Sequence, residues 1–123
     1  MDIGLLNNYL RLDEIKQLPE NWNGNGAPAF SKKHVDTARK LISKLKKQPF
    51  ISPTAKGSIQ FEYEDEQGNY LEFELFPDNS VKKFCCLKDN VSFVETVTIE
   101  KLSSTVNDFY GTVPETKPKI KSN

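Results

Sequence analysis

The sequence predicts a single α+β domain: an antiparallel meander of three to four strands with helices packed on one face. Apolar residues recur at helical spacing as far as Leu45, whereas from Gly57 they alternate with polar residues. The 123 residues are enough for one hydrophobic core. We therefore expect residues 1–111 to form one domain. Residues 112–123, with two prolines and alternating lysines, are predicted to be a disordered tail.

The first helical segment lies near the amino terminus. Apolar residues recur there at helical spacing: Ile3, Leu5, Leu6, Tyr9 and Leu10, followed by Leu12, Ile15 and Leu18. Asp13 is a candidate N-cap within the segment, and Pro19 is expected to stop it. The pattern predicts one bent helix or two short ones.

The loop from Pro19 to Phe30 contains two Asn-Gly pairs, at 23–24 and 25–26, which accept positive φ at low cost. Trp22 is large and apolar, so we expect it to anchor the loop against the core. The loop is interpreted as a structural connection between two helices. A role for Trp22 in contacting a partner stays open.

The second helix is predicted over residues 32–47, with Ser31 as its N-cap. Its apolar stripe faces the core, and its other face is basic. A nucleic-acid-binding role would use six cations of that face: Lys32, Lys33, Arg39, Lys40, Lys44 and Lys47. His34 is expected on the surface, because lysines flank it.

Two half-buried strands are predicted on either side of a turn around Gln67-Gly68-Asn69. A third strand near residues 81–87 has a blurred pattern that suggests a bulge, and a fourth covers residues 91–98. Ile99, Leu102, Val106 and Phe109 then predict a short amphipathic helix ending at Gly111.

The most informative chemical feature is an acidic face on the predicted hairpin, formed by Glu62, Glu64, Glu72 and Glu74. An odd-length loop would place Glu64 opposite Glu72, and Glu62 opposite Glu74. Facing like charges destabilise a sheet, so either cations lie nearby or a basic partner covers the face. Both interpretations stay open, with the neutralising cations expected on the next strand: Lys82, Lys83 and Lys88, with Lys83 beside Glu74. A metal site is disfavoured, because a flat sheet spreads its oxygens apart.

Enzymatic function is not expected, since the sequence lacks a zinc-ligand set, a recognisable triad and a phosphate-binding glycine loop. Cys85 and Cys86 should point to opposite faces of a strand and form no disulfide with each other. No cofactor is predicted. The formal net charge is zero, and we see neither a signal peptide nor an apolar run long enough for a membrane span. A cytoplasmic protein without membrane association is therefore expected.

Three motifs together resemble a widespread, uncharacterised family of small bacterial and phage proteins. They are LPENWNGNGAPAFS at 18–31, a helix with Ala38, Leu41 and Leu45, and GSIQFEYE at 57–64 followed by YLEFELFPDNSV. The family pattern is an LPxxWNGxGA loop and a GSIQ-L-E-W-E strand, and it covers roughly residues 10 to 82. Tyr63 stands where the family often has tryptophan. The resemblance implies a mobile-element or defence-associated setting, including toxin–antitoxin pairs.

Together these features predict a non-catalytic module that binds a basic protein through the acidic face, helped by Trp22. An antitoxin- or immunity-like role is the most specific form. The alternative is a nucleic-acid-associated accessory protein that acts through the basic helix. The pattern does not predict an oligomeric state.

Overall fold

The structure, a computed structural model, describes residues 2–88 and 92–111; the predicted tail at 112–123 lies outside them. It confirms the α+β class. The elements follow in the order α1 (Ile3–Lys16), α2 (Lys32–Ser43), β1 (Phe50–Pro53), β2 (Ile59–Glu64), β3 (Tyr70–Leu75), β4 (Val81–Cys86), β5 (Ser92–Val97), a 3-10 turn (Ile99–Lys101) and α3 (Leu102–Phe109).

The sheet is a five-stranded antiparallel meander in which the strands lie in chain order from β1 to β5. The predicted count of three to four strands is wrong, because the pattern does not predict β1. This strand lies between Pro49 and Ile59 and itself ends in Pro53. Proline lacks an N–H donor and is tolerated in a strand at the edge of a sheet, where β1 lies. The suggested bulge is also wrong, since β4 pairs with β3 in unbroken register.

One hydrophobic core joins the helices to the sheet. The strands contribute odd-numbered side chains, of which Phe61 and Phe73 are fully buried. The helices contribute Leu12, Ile42 and Val106, among others. Because side chains alternate along a strand, the even-numbered side chains form the opposite side of the sheet, here called the outer face. They are half-buried or exposed, with the exception of Glu74.

Helix α1 is a single helix, so the predicted alternative of two short helices is wrong. Its N-cap is Asp2, whose carboxylate accepts a hydrogen bond from the N–H of Gly4 at 2.8 Å. Asp13, the predicted cap, lies inside the helix and forms an ion pair with Arg39 at 3.0 Å.

Apolar residues occupy two opposite sides of α1. Leu12 and Ile15 face the core. The other side carries Ile3, Leu6 and Leu10, which are 73%, 42% and 54% exposed. These three side chains share one helical stripe, which is exposed.

Helix α2 is shorter than the predicted range of 32–47. Ser31 is its N-cap, as predicted, and accepts a hydrogen bond from the N–H three residues later at 3.1 Å. The helix ends at Ser43, where the amide of Gln48 donates to the carbonyls of Ile42 and Leu45 at 2.8 and 3.0 Å. Carbonyls at a helix end need such partners. The side chain of Gln48 therefore binds one carbonyl of the last turn, that of Ile42, and the carbonyl of Leu45 just beyond it.

His34 is buried, with 2% of its surface exposed, so the predicted surface position is wrong. It falls on the same helical stripe as Ala38 and Leu41, which faces the core. Its Nε2 lies 3.0 Å from the carbonyl oxygen of Leu75, and its ring stacks on Phe30. Burial lowers the pKa of His34, and the hydrogen bond to the carbonyl opposes this shift in part.

The loop between α1 and α2 turns where predicted: Gly24 and Gly26 have φ values of 77° and 85°. The Asn23 side chain accepts hydrogen bonds from two backbone N–H groups of the loop, at 2.8 and 3.0 Å. Trp22 is half-buried against the core, and its Nε1 donates to the Pro28 carbonyl at 3.0 Å. These contacts support the structural interpretation of the loop.

Candidate functional site

The centre of the outer face is a row of side chains from neighbouring strands. Phe50 on β1 faces Glu62 on β2, Glu62 faces Glu72 on β3, and Glu72 faces Phe84 on β4. The two glutamates are half-buried, as is Phe84, whereas Phe50 is 60% exposed. The row thus places two adjacent carboxylates between two aromatic rings.

The predicted pairing of the glutamates is wrong by two residues. Glu62 lies opposite Glu72, and Gln60, not Glu62, lies opposite Glu74. The turn from 65 to 69 explains this register. Asp65 accepts hydrogen bonds from the N–H groups of Gln67 and Asn69, both at 2.9 Å, which closes a five-residue loop. Its hydrogen bonds with Asn69, foremost the side-chain bond, lower the pKa of Asp65.

Each carboxylate of the facing pair accepts a hydrogen bond from a neutral neighbour on its own strand. Gln60 donates to Glu62 at 2.9 Å, and the hydroxyl of Tyr70 donates to Glu72 at 2.8 Å. Burial, then the hydrogen bond to Glu72, raises the pKa of Tyr70, which therefore stays a neutral donor.

Within residues 2–88 and 92–111, neither Glu62 nor Glu72 forms an ion pair. Facing like charges cost from about 0.2 to 1 kcal/mol in a sheet. The lysines of the next strand, which were predicted to neutralise the acidic face, form no ion pair with Glu62 or Glu72. Lys83 points to the other face and pairs with Glu95 at 3.0 Å, and Lys82, not Lys83, lies opposite Glu74.

Glu74 differs from the other glutamates because it is buried, with 8% of its surface exposed. The hydroxyl of Ser58 donates to its carboxylate at 2.6 Å, and Lys56 forms an ion pair with it at 3.2 Å. Its charge is compensated inside the protein. Glu64 is exposed and lies opposite Tyr70, at the end of the outer face.

The sequence did not single out Phe50 or Phe84. Phe50 belongs to the strand that the pattern missed, and Phe84 to the strand whose alternation was blurred by Lys83. Arg11 reaches Phe50, with its guanidinium 5.5 Å from the ring centroid. Trp22, by contrast, packs with Phe30 against the core and is not part of the outer face.

The six cations of the predicted basic helix fall into two groups. Three are engaged within the protein: Lys32 pairs with Asp36, Arg39 stacks on Tyr9 and pairs with Asp13, and Lys47 lies over the ring of Tyr110. The other three form no ion pair among the described residues: Lys33, Lys40 and Lys44.

The two cysteines point to opposite faces of β4, as predicted, and both are free. Cys85 is buried on the core side, and burial raises the pKa of its thiol. Cys86 is half-buried on the outer face. A raised thiol pKa leaves little of the nucleophilic thiolate at neutral pH.

A surface cavity of about 550 Å³ lies between the 65–69 turn and the end of α3. Two polar side chains of its lining make contacts within the protein. The hydroxyl of Tyr110 donates to the Glu64 carbonyl at 2.8 Å, and Lys47 lies 4.5 Å from the Tyr110 ring centroid. In the described part of the chain, no group of three or more His, Cys, Asp or Glu side chains is placed to hold a metal ion.

Comparisons of the chain with protein-family models, with curated proteins and with solved structures give no match. The family resemblance described above therefore stays a prediction. Among the described residues, no helix has the length and apolar character needed to cross a membrane.

Proposed function

We propose that this protein is a non-catalytic interaction module that binds a basic protein partner through the outer face of its sheet. The facing Glu62–Glu72 pair, which no cation of the described residues neutralises, is the observation that carries the proposal. A cation of the partner placed between the two carboxylates would remove their mutual repulsion. Binding would then gain this relief in addition to new charge-assisted hydrogen bonds.

The side chains around the pair favour a partner that presents arginine. The guanidinium group is planar, pairs with carboxylates through two parallel hydrogen bonds and stacks on aromatic rings. Glu62 and Glu72 would receive its N–H groups, while Phe50 and Phe84 would contact its plane or neighbouring apolar residues. Tyr70 would hold the Glu72 carboxylate in place through its hydrogen bond.

The most specific form of the proposal comes from the family resemblance. It is an antitoxin- or immunity-like protein of a bacterium or phage that acts in the cytoplasm on a basic partner. Of the four glutamates in the sequence-based hypothesis, Glu62 and Glu72 take the leading role. Glu74 is excluded from direct contact, because Ser58 and Lys56 already occupy its carboxylate.

The test compares two double variants of the tagged protein. Glu62→Gln with Glu72→Gln removes the facing charges and keeps their shape. The matched control, Glu66→Gln with Glu100→Gln, removes two exposed charges elsewhere. Proteins captured from the native host are identified, and the partner is then purified for calorimetric titration against each variant.

Loss of one partner of a buried charge pair costs about 2–5 kcal/mol, which corresponds to a loss of affinity of about 30-fold or more. We expect this loss for the outer-face variant and unchanged affinity for the control. An outer-face variant that binds as tightly as the native protein would refute the proposal, as would equal losses in both variants.

A second candidate, nucleic-acid binding through α2, is favoured by one observation. Lys33 and Lys40 lie two helical turns apart, Lys44 follows one turn later, and none of the three forms an ion pair among the described residues. Three phosphate contacts would give a slope of about −2.7 for log K against log[salt] on duplex DNA. Binding of a labelled duplex over a salt series, with Lys33→Gln and Lys40→Gln, tests this candidate. A slope that these substitutions leave unchanged would refute it.

A further inference from the structure

The two edge strands of the sheet are very different. The β1 edge is short and occupied by side chains of the same molecule. Arg11 Nε donates to the carbonyl of Ile51 at 2.9 Å, and the Asn8 amide donates to the carbonyl of Pro49 at 3.0 Å. Pro53, at the end of the strand, has no N–H group to offer. Such devices prevent an edge from pairing with another chain.

The β5 edge carries none of these devices. This strand has six residues, pairs with β4 alone among the described elements, and is exposed along its length except for half-buried Val97. Phe93 is 50% exposed on the core side, and Val94 is 66% exposed on the outer face. The strand contains no proline and no lysine. Its single charge, on Glu95, is paired with Lys83 at 3.0 Å.

We propose that β5 pairs with β5 of a second copy of this chain, antiparallel and around a two-fold axis, to form one continuous ten-stranded sheet. An exposed strand with unpaired N–H and C=O groups and apolar side chains on both faces is a template for such addition. The formal net charge of the chain is zero, so no overall repulsion separates two copies.

Charge selects the register of this pairing. Facing residues of an antiparallel pair point to the same side of the sheet. The two-fold axis must therefore lie midway between the two copies of one β5 residue, which then face each other. Only Val94 or Glu95 on the axis lets five residues of each strand pair. Glu95 on the axis would place two carboxylates opposite each other, which is unfavourable. With Val94 on the axis, Phe93 faces Glu95 of the second copy and the two valines meet on the outer face.

The inference is independent of the proposed function, which depends on Glu62 and Glu72. The two are linked in space, because Val94 lies opposite Phe84 on the outer face. Pairing would join the two outer faces into one surface with a facing glutamate pair on each side of the axis. An edge of six residues is small for an interface, so we expect the dimer to depend on protein concentration.

The first experiment is disulfide cross-linking in a Cys86→Ser background. Facing residues in an antiparallel pair have Cα atoms about 4.5–5.5 Å apart, within the range of about 4.4–6.8 Å that a disulfide spans. We expect Val94→Cys to form a covalent dimer under mild oxidation. A mixture of Val94→Cys and Thr96→Cys chains tests the competing register, in which these two residues face each other and Glu95 is kept. Leu10→Cys, a similarly exposed apolar site on α1, measures pairing by that helix or by random collision.

Efficient cross-linking of Val94→Cys alone would establish both the edge and the register. Equal or faster formation of the mixed Val94→Cys/Thr96→Cys dimer would overturn the register, and cross-linking of Leu10→Cys at that rate would overturn the edge. Sedimentation equilibrium supplies a second test. The native chain should dimerise, Val94→Lys should be monomeric, and Leu10→Lys should dimerise like the native chain. A native chain that is monomeric at all accessible concentrations would overturn the proposal. The β5 edge would then be free to pair with a strand of another protein.

Discussion

Removal of the Glu74 carboxylate should destabilise the fold, although Glu74 belongs by sequence to the same acidic face as Glu62. Glu74 is buried and receives a hydrogen bond from Ser58 at 2.6 Å and an ion pair from Lys56 at 3.2 Å. The Ser58 hydroxyl also lies 2.6 Å from that of Thr54, so Glu74 completes a chain of three polar side chains. We therefore expect Glu74→Ala to loosen the turn between β1 and β2.

The size of the effect follows from these contacts. A hydrogen bond to a charged group contributes about 1.5–3 kcal/mol. The ion pair adds at most about 1 kcal/mol, because Lys56 is 66% exposed and its charge is screened by water. Loss of a buried methylene adds about 0.8 kcal/mol. We expect Glu74→Ala to lower the free energy of unfolding by about 2–5 kcal/mol, and Glu74→Gln, which keeps the shape, by about 1 kcal/mol.

Urea denaturation followed by circular dichroism measures this difference. Glu62→Ala is the matched control, since Glu62 is half-buried on the next strand and faces another carboxylate. Its free energy of unfolding should stay within about 0.5 kcal/mol of the native value. A double-mutant cycle of Glu74→Ala with Ser58→Ala should give a coupling of about 1 kcal/mol or more. If Glu74→Ala and Glu62→Ala lower the free energy of unfolding by equally small amounts, the structural role assigned to Glu74 is wrong.

Three further predictions concern other parts of the fold. Gly57→Ala should cost about 1–3 kcal/mol more than Gly24→Ala in urea denaturation. Both glycines have positive φ, but only at Gly57 would the added Cβ meet another residue, 2.9 Å from Pro28; equal costs would contradict this contact. Burial lowers the pKa of His34 below its ordinary 6.5, so the unfolded chain takes up the proton first. The contribution of His34 to the free energy of unfolding should be level above about pH 6.5 and fall as the pH drops below it. His34→Gln should remove this part of the profile, and an unaltered profile would contradict the prediction. Glu72→Gln should raise the free energy of unfolding by about 0.2–1 kcal/mol, most clearly at low salt, because it relieves repulsion from Glu62 and keeps an acceptor for Tyr70. A loss of stability in urea denaturation would show that the facing pair is not repulsive.

The candidate site was predictable in part. The alternation of the hairpin places Glu62 and Glu72 on the same face, and the structure agrees. The register that makes them direct neighbours depends on how Asp65 closes the turn through its side chain. A pattern of alternating residues is compatible with several such closures, so it could not select one.

By itself, the sequence determined the local features of this protein. Ser31 caps a helix, Gly24 and Gly26 turn the loop, and the change of period separates helices from strands, because each depends on residues close in the chain. Tertiary structure decided the rest: the burial of His34 and Glu74, the existence of β1, and the placement of Phe50 beside Glu62. These features depend on contacts between residues far apart in the chain, whose free energies no local pattern contains.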